Sequence, residues 1–153
     1  MNFNEFYDFI SSYPSNKIVI LGLGNPHRRD DGAGLYLLKK LKAHEKLKDI
    51  HFIAAGRTPE NYLQQILSCS PQLVIFIDML RNSASDQIQL LDSDSIAGDG
   101  FTTHSYSIRL VEKYLKNHNK INIKYLGIPA ANTETGPGIS PDIKNNIAHF
   151  LNN

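Results

Sequence analysis

The chain has 153 residues, the length of one domain able to bury roughly 70% of its unfolded surface. Its 16 basic and 15 acidic residues nearly cancel, so the field that draws basic proteins to nucleic acid or anionic membranes is missing. No apolar run approaches the ~20 residues of a membrane span, and the single cysteine, Cys69, excludes an internal disulfide or a multi-thiolate metal site. The N-terminal MNFNEFYDFISSYPSNK lacks the basic start and apolar centre of a secretory signal, so a cytoplasmic enzyme or binding domain is expected.

Phe3, Phe6, Tyr7 and Ile10 fall at helical spacing, which predicts an amphipathic helix over residues 3–12, broken before Pro14. The segment KIVILGLGNPHRRDDGAGLYLL follows. Ile18, Val19, Ile20 and Leu21 make a short apolar run of the kind found in buried parallel strands. After it come the turn Gly22-Leu23-Gly24-Asn25-Pro26, two adjacent acids, Asp30 and Asp31, and a helix predicted to run to about Leu47. A strand, loop and helix of this kind keep their sites beyond the strand's carboxyl end. A nucleotide is disfavoured there: His27 replaces the third glycine of G-x-G-x-x-G, no Gly-Lys-Ser/Thr follows, and two negative charges occupy the phosphate's place. Either acid alone reads equally well as a helix N-cap, but both together do not, since successive residues point in different directions. His44 and Glu45 do not open H-E-x-x-H, because Lys48 stands at the second histidine position.

Residues 50–54 read as a second strand, and Gly56-Arg57-Thr58-Pro59-Glu60 as a loop into a helix, with Thr58 at the cap and Pro59 at the first helical position. Tyr62, Leu63, Ile66 and Leu67 form that helix's apolar face; Cys69 at its end has no basic neighbour in sequence and reads as an idle thiol. LVIFI, residues 73–77, is apolar throughout and reads as the central strand, with Asp78 at its carboxyl edge as either a turn cap or a functional acid. Residues 87–91 read as an antiparallel or edge strand. Residues 92–100, DSDSIAGDG, read as a solvated connection without EF-hand spacing. Phe101-Thr102-Thr103-His104-Ser105 opens a helix with the predicted apolar face Ile108, Leu110, Val111, Tyr114 and Leu115. His104 at its first turn is either a packing residue or a ligand, and the helix dipole there favours a neutral ring. Residues 121–128 form the last strand. Residues 129–141 form a Gly/Pro/Thr-rich loop expected to be mobile, and Ser140 caps a final helix through Leu151.

This alternation predicts an α/β fold, a three-layer α/β/α sandwich around a mainly parallel, twisted five-stranded sheet with one antiparallel or edge strand, all in one domain spanning residues 1–153. Asp31, Asp78 and His104 then share one rim. No G-x-S-x-G, paired cysteine or H-E-x-x-H is present. Two carboxylates and an imidazole suit a borderline divalent metal such as Zn²⁺ or Ni²⁺, or acid–base work on a bound water.

ILGLGNPHRRDDGAG resembles the signature of the nickel–iron hydrogenase maturation endopeptidases, a G-x-G-N turn followed by Asp-Asp/Glu-Gly-x-Gly. The resemblance extends through Gly56-Arg57-Thr58-Pro59-Glu60, LVIFID, THSYS and YLGI with its following Gly-rich loop. It implies a phosphorylase/hydrolase-like peptidase that trims the C-terminal extension of the hydrogenase large-subunit precursor after nickel insertion. It implies that Asp31, Asp78 and His104 are the metal-contacting and catalytic residues. The nickel would be borne by the substrate, with Zn or Cd able to substitute in crystals. Asp30 would then be the cap, its Asn variant costing ~0.5–2 kcal/mol. One departure is Gly127-Ile128-Pro129-Ala130, where the family often has Gly-Ile-Gln-Pro. GLGNP also resembles the opening of peptidyl-tRNA hydrolase, but the Thr-Arg-His-Asn that follows in that family is absent and so is a basic excess. A non-catalytic, metal-dependent hydrogenase assembly chaperone of the same fold is the third reading. The first of these requires the three side chains to converge on one point, free of private hydrogen-bond pairs.

Overall fold

Six consecutive buried residues, Ile18–Leu23, form strand β1 near the middle of the sheet. A computed structural model of the protein describes residues 1–96, 102, 104–130 and 134–153. In chain order the main elements are α1 (Phe3–Ile10), β1, α2 (Ala33–Lys42), β2 (His51–Gly56), α3 (Leu63–Ser68), β3 (Leu73–Leu80), β4 (Gln89–Asp92), α4 (Ser105–Lys116), β5 (Asn122–Pro129) and α5 (Pro141–Asn152). The strands lie in the order β2-β1-β3-β5-β4, all parallel except β4, which runs antiparallel to β5 at the edge. This is the expected three-layer α/β/α arrangement.

The layers follow from the alternation of side chains along the strands. Ile18 and Ile20 of β1 with Leu73, Ile75 and Ile77 of β3 face α1, α2 and α5; Val19, Leu21, Val74 and Phe76 face α3 and α4. The helix after β1 and the helix after β2 therefore cover opposite faces. The chain leaves β1 in one direction to reach β2 and in the other to reach β3, so the sheet's topological switch point lies between β1 and β3, where open α/β sheets hold their ligands.

Two glycines bring α2 down onto that point. A Cβ on Gly34 would lie 2.4 Å from the Leu23 carbonyl oxygen and 2.5 Å from that of Ile77, and one on Gly22 would lie 2.9 Å from Leu38 Cβ. The first turn of α2 thus rests directly on the ends of β1 and β3. Gly34→Ala is expected to lower stability by ~1–3 kcal/mol, since backbone rather than a flexible side chain must yield; urea unfolding measures it.

Several elements differ in extent from the sequence expectations. Helix α1 stops at Ile10, its start held by an Asn2–Glu5 capping box. Helix α2 ends at Lys42 rather than near Leu47, because His44 Nδ1 accepts the Lys46 N–H and starts a separate 3₁₀ turn. Strand β3 does not stop before Asp78 but continues to Leu80, with Asp78 paired to Gly127 of β5. On α4, Ile108, Val111 and Leu115 are buried. Leu110 and Tyr114, predicted on the same face, are 47% and 36% exposed, because residues 110 and 114 are turned off the stripe that 108, 111 and 115 share.

The 129–141 loop was expected to be mobile. Its residues 131–133, like 97–101 and 103 of the preceding connection, lie outside the described residues. What is described of it is tied down: Gly136 N–H donates to the His27 carbonyl at 2.8 Å, and Arg29 N–H to the Gly136 carbonyl at 2.9 Å. The early and late loops are thereby joined over the switch point.

Candidate active site at the carboxyl rim of the sheet

Asp31 reaches the rim through a turn that only glycine permits. Gly24 has φ +123°, and a Cβ there would lie 1.9 Å from the Asp31 carbonyl oxygen. The turn closes as Asn25 N–H donates to Asp31 Oδ2 at 3.2 Å. Arg29 is held at φ 44°, in the left-handed region that non-glycine residues adopt at a cost of ~1–3 kcal/mol and that clusters at functional sites.

Neither acid caps α2. That helix begins at Gly32 with no side-chain cap. The carboxylate of Asp30 instead accepts two hydrogen bonds from Ser140, from its N–H at 2.7 Å and its hydroxyl at 3.0 Å. Asp30 is therefore not the local cap expected of it. It ties the turn carrying Asp31 to the start of α5, where Ser140 is itself the N-cap. A contact across 110 positions leaves no mark in local sequence.

Asp78 and His104 meet on the other side of the rim. Oδ1 of Asp78 accepts the Met79 N–H at 2.8 Å, and Oδ2 lies 3.1 Å from Nδ1 of His104. The main-chain N–H of His104 donates to Thr102 Oγ1 at 3.3 Å, which steadies the start of α4. With Nδ1–H donating to Asp78, Nε2 is the nitrogen that carries the lone pair of the neutral ring. Burial pushes Asp78 above the usual carboxylate range despite the bond from His104. Burial pulls His104 down, but the hydrogen bond to Asp78 and the charges of Asp78 and Asp31 outweigh it and raise the imidazole. The neutral ring expected from the helix dipole alone is thus opposed by two carboxylates.

Asp31, Asp78 and His104 are 2%, 2% and 9% exposed. Asp31 and His104 border one hollow of about 250 Å³, shared with Asn25, Arg28, Arg57 and Tyr106; Asp78 is reached through its bond to His104. Among the described residues no three such side chains stand as a ready-made metal site. The arrangement is a hydrogen-bonded carboxylate–imidazole pair beside a second carboxylate, and the pairing is the feature that the sequence reading required to be absent.

Arg57, Arg28 and Tyr106 are site residues that the sequence reading did not single out. Arg57 had a visible signal, a cation in the loop directly after β2 at the same rim, and its charge opposes protonation of His104. Cys69 is remote from this chemistry: it ends α3 ahead of β3, so it lies at the sheet's opposite edge, and its Sγ contacts the Gln65 carbonyl.

No family model matches the chain. A putative hydrogenase maturation protease of Methanocaldococcus jannaschii is 29% identical over 136 residues, covering 84% of this chain and 80% of that protein. The crystal structure of the [NiFe] hydrogenase maturation protease HycI from Thermococcus kodakarensis superposes with a TM-score of 0.79 at 28% identity, covering 94% of this chain and 91% of that one. The solution structure of the endopeptidase HycI from Escherichia coli gives 0.72 at 27% identity, covering 86% and 85%. The relative and the solved structures agree along most of the chain, and in sequence and fold the chain is similar to the hydrogenase maturation proteases.

Proposed function

We propose that this protein is an endopeptidase that removes the C-terminal extension of a nickel–iron hydrogenase large-subunit precursor after nickel insertion, and that Asp31, Asp78 and His104 recognise the substrate-borne nickel. The observation that carries this reading is the meeting of Asp31 and His104 on one rim hollow. Two oxygens and one imidazole nitrogen suit Ni²⁺. An incomplete shell of this kind suits a metal that arrives with the substrate's own ligands.

The bond between His104 and Asp78 gives each a defined part. It orients the ring so that Nε2 joins Asp31 as the first pair of donors, the role second partners of metal-bound histidines commonly have. Asp78 enters the shell by exchanging that bond for the metal. The attacking nucleophile is a water activated at the same hollow. Its oxygen bonds to the scissile carbonyl carbon, the C–N bond breaks, and a proton passes to the leaving nitrogen. The partner is the precursor, and we take the cytoplasm as the place of reaction. Among the described residues no helix is long and apolar enough to cross a membrane.

Incubation with nickel-loaded large-subunit precursor tests this. Shortening of the precursor is the expected result. Binding without cleavage would support the chaperone reading instead, and release of peptide from peptidyl-tRNA the esterase reading. A crystal soaked in Ni²⁺ or Cd²⁺ is expected to show metal density contacting Asp31 and His104. Density confined to other surface groups would remove the ligand assignment.

A further inference from the structure

Beside the hollow of Asp31 and His104 lies a larger cleft of about 1100 Å³. Its walls include Arg81 just after β3, Ala130 just after β5, and Asp142 and Asn146 of α5. Arg28 borders both the cleft and the smaller hollow, so the two share a wall. Arg28 and Arg81 are each half-buried, and neither guanidinium has a hydrogen bond or ion pair among the described residues. A partly desolvated guanidinium is a fork of donors that gains from an acceptor, and its planar geometry suits carbonyl or carboxylate oxygens. The cleft is also at least as large as a usual small-ligand pocket of ~300–1,000 Å³. Leu80, Pro129, Ala130 and Ile143 add apolar contact, and Asp86 and Asp142 add acceptors for main-chain N–H groups, a mixture suited to an extended peptide.

We infer that this cleft receives the peptide on the C-terminal side of the scissile bond, with Arg28 and Arg81 donating to its carbonyl or carboxylate oxygens. The inference rests on the peptidase reading above. If the nickel and its ligands belong to the retained part of the substrate and occupy the Asp31–His104 hollow, the leaving segment must continue from there. The adjoining cleft across Arg28 offers it a path. Arg81 is then a specificity residue that contacts the leaving segment away from the bond that breaks.

A labelled synthetic peptide with the sequence of the precursor's extension tests the cleft directly. It is expected to bind the wild-type protein, to bind Arg81→Glu at least ~10-fold more weakly, and to bind Asp31→Asn as the wild type does. Processing of the nickel-loaded precursor by Arg81→Glu should show a raised KM with kcat little changed. Ala130→Trp, which fills the cleft from another wall, should do the same while keeping the wild-type melting temperature. If both variants process with an unchanged KM, the cleft assignment falls while the peptidase reading stands. If the wild type never shortens the precursor yet binds the peptide in an Arg81-dependent way, the peptidase reading falls and the cleft remains a peptide site. If the wild type does not bind the peptide, the cleft assignment is overturned.

Discussion

Asp78→Asn is expected to reduce precursor processing by at least ~100-fold while leaving the protein folded, the scale of losing a group that orients a metal-bound histidine or an electrostatic contact at a reacting centre. The reason lies in the number of acceptors. Asp78 satisfies two donors, the Met79 N–H and His104 Nδ1–H, with its two oxygens. Asparagine has one carbonyl oxygen. If that oxygen keeps the Met79 bond, its NH₂ group faces the ring. The imidazole must then present Nδ1 as acceptor and carry its proton on Nε2, the nitrogen meant for the metal. Asp31→Asn should lose activity to a similar degree by removing an oxygen donor. His104→Ala should lose activity and also stability, because it leaves the Asp78 carboxylate buried without its partner. Initial rates on nickel-loaded precursor, with circular dichroism as a fold control, measure all three. A wild-type rate for Asp78→Asn would end its role in the site.

Asp30→Asn should cost roughly 2–4 kcal/mol of stability, above the ~0.5–2 kcal/mol of a lost helix cap. The carboxylate accepts from both the N–H and the hydroxyl of Ser140 and is 2% exposed. Charge-assisted bonds in such a setting exceed neutral ones, and a donor left without an acceptor there carries its own desolvation cost. The same bonds hold the turn bearing Asp31 against the start of α5, so processing should also fall. Ser140→Ala should show a smaller loss, since its N–H remains. The Asp30→Asn/Ser140→Ala double variant should be less destabilised than the sum of the two, as partners in one contact are. Denaturant midpoints for the four proteins measure this. Strict additivity would show that the contact does not couple the two loops.

Along β1 and β3 the fold was legible because burial on both faces leaves an uninterrupted apolar run. LVIFI could hardly be anything but a central strand, and it is one. Its end was not legible, since an acid at position 78 reads as a stop. β3 passes through it because Asp78 finds its partners inside the fold, one of them His104, 26 residues later at the cap of α4. Leu110 and Tyr114 are as apolar as the buried residues of α4, yet the helical turn carries them off the buried face. Gly22 and Gly34 were visible as glycines. That they let α2 touch two strand ends is known only from where the carbonyls of Leu23 and Ile77 lie.

By itself the sequence determined the α/β/α alternation, the parallel core strands and the rim on which Asp31, Asp78 and His104 sit, because these depend on local periodicity and on which residues stand at element ends. Only the tertiary structure decided that Asp78 is bound to His104, that Asp30 serves α5 rather than α2, and that Arg28 stands between a small hollow and a large cleft. Each of these joins residues distant in the chain, and a hydrogen bond formed across the fold depends on packing geometry that no local pattern encodes.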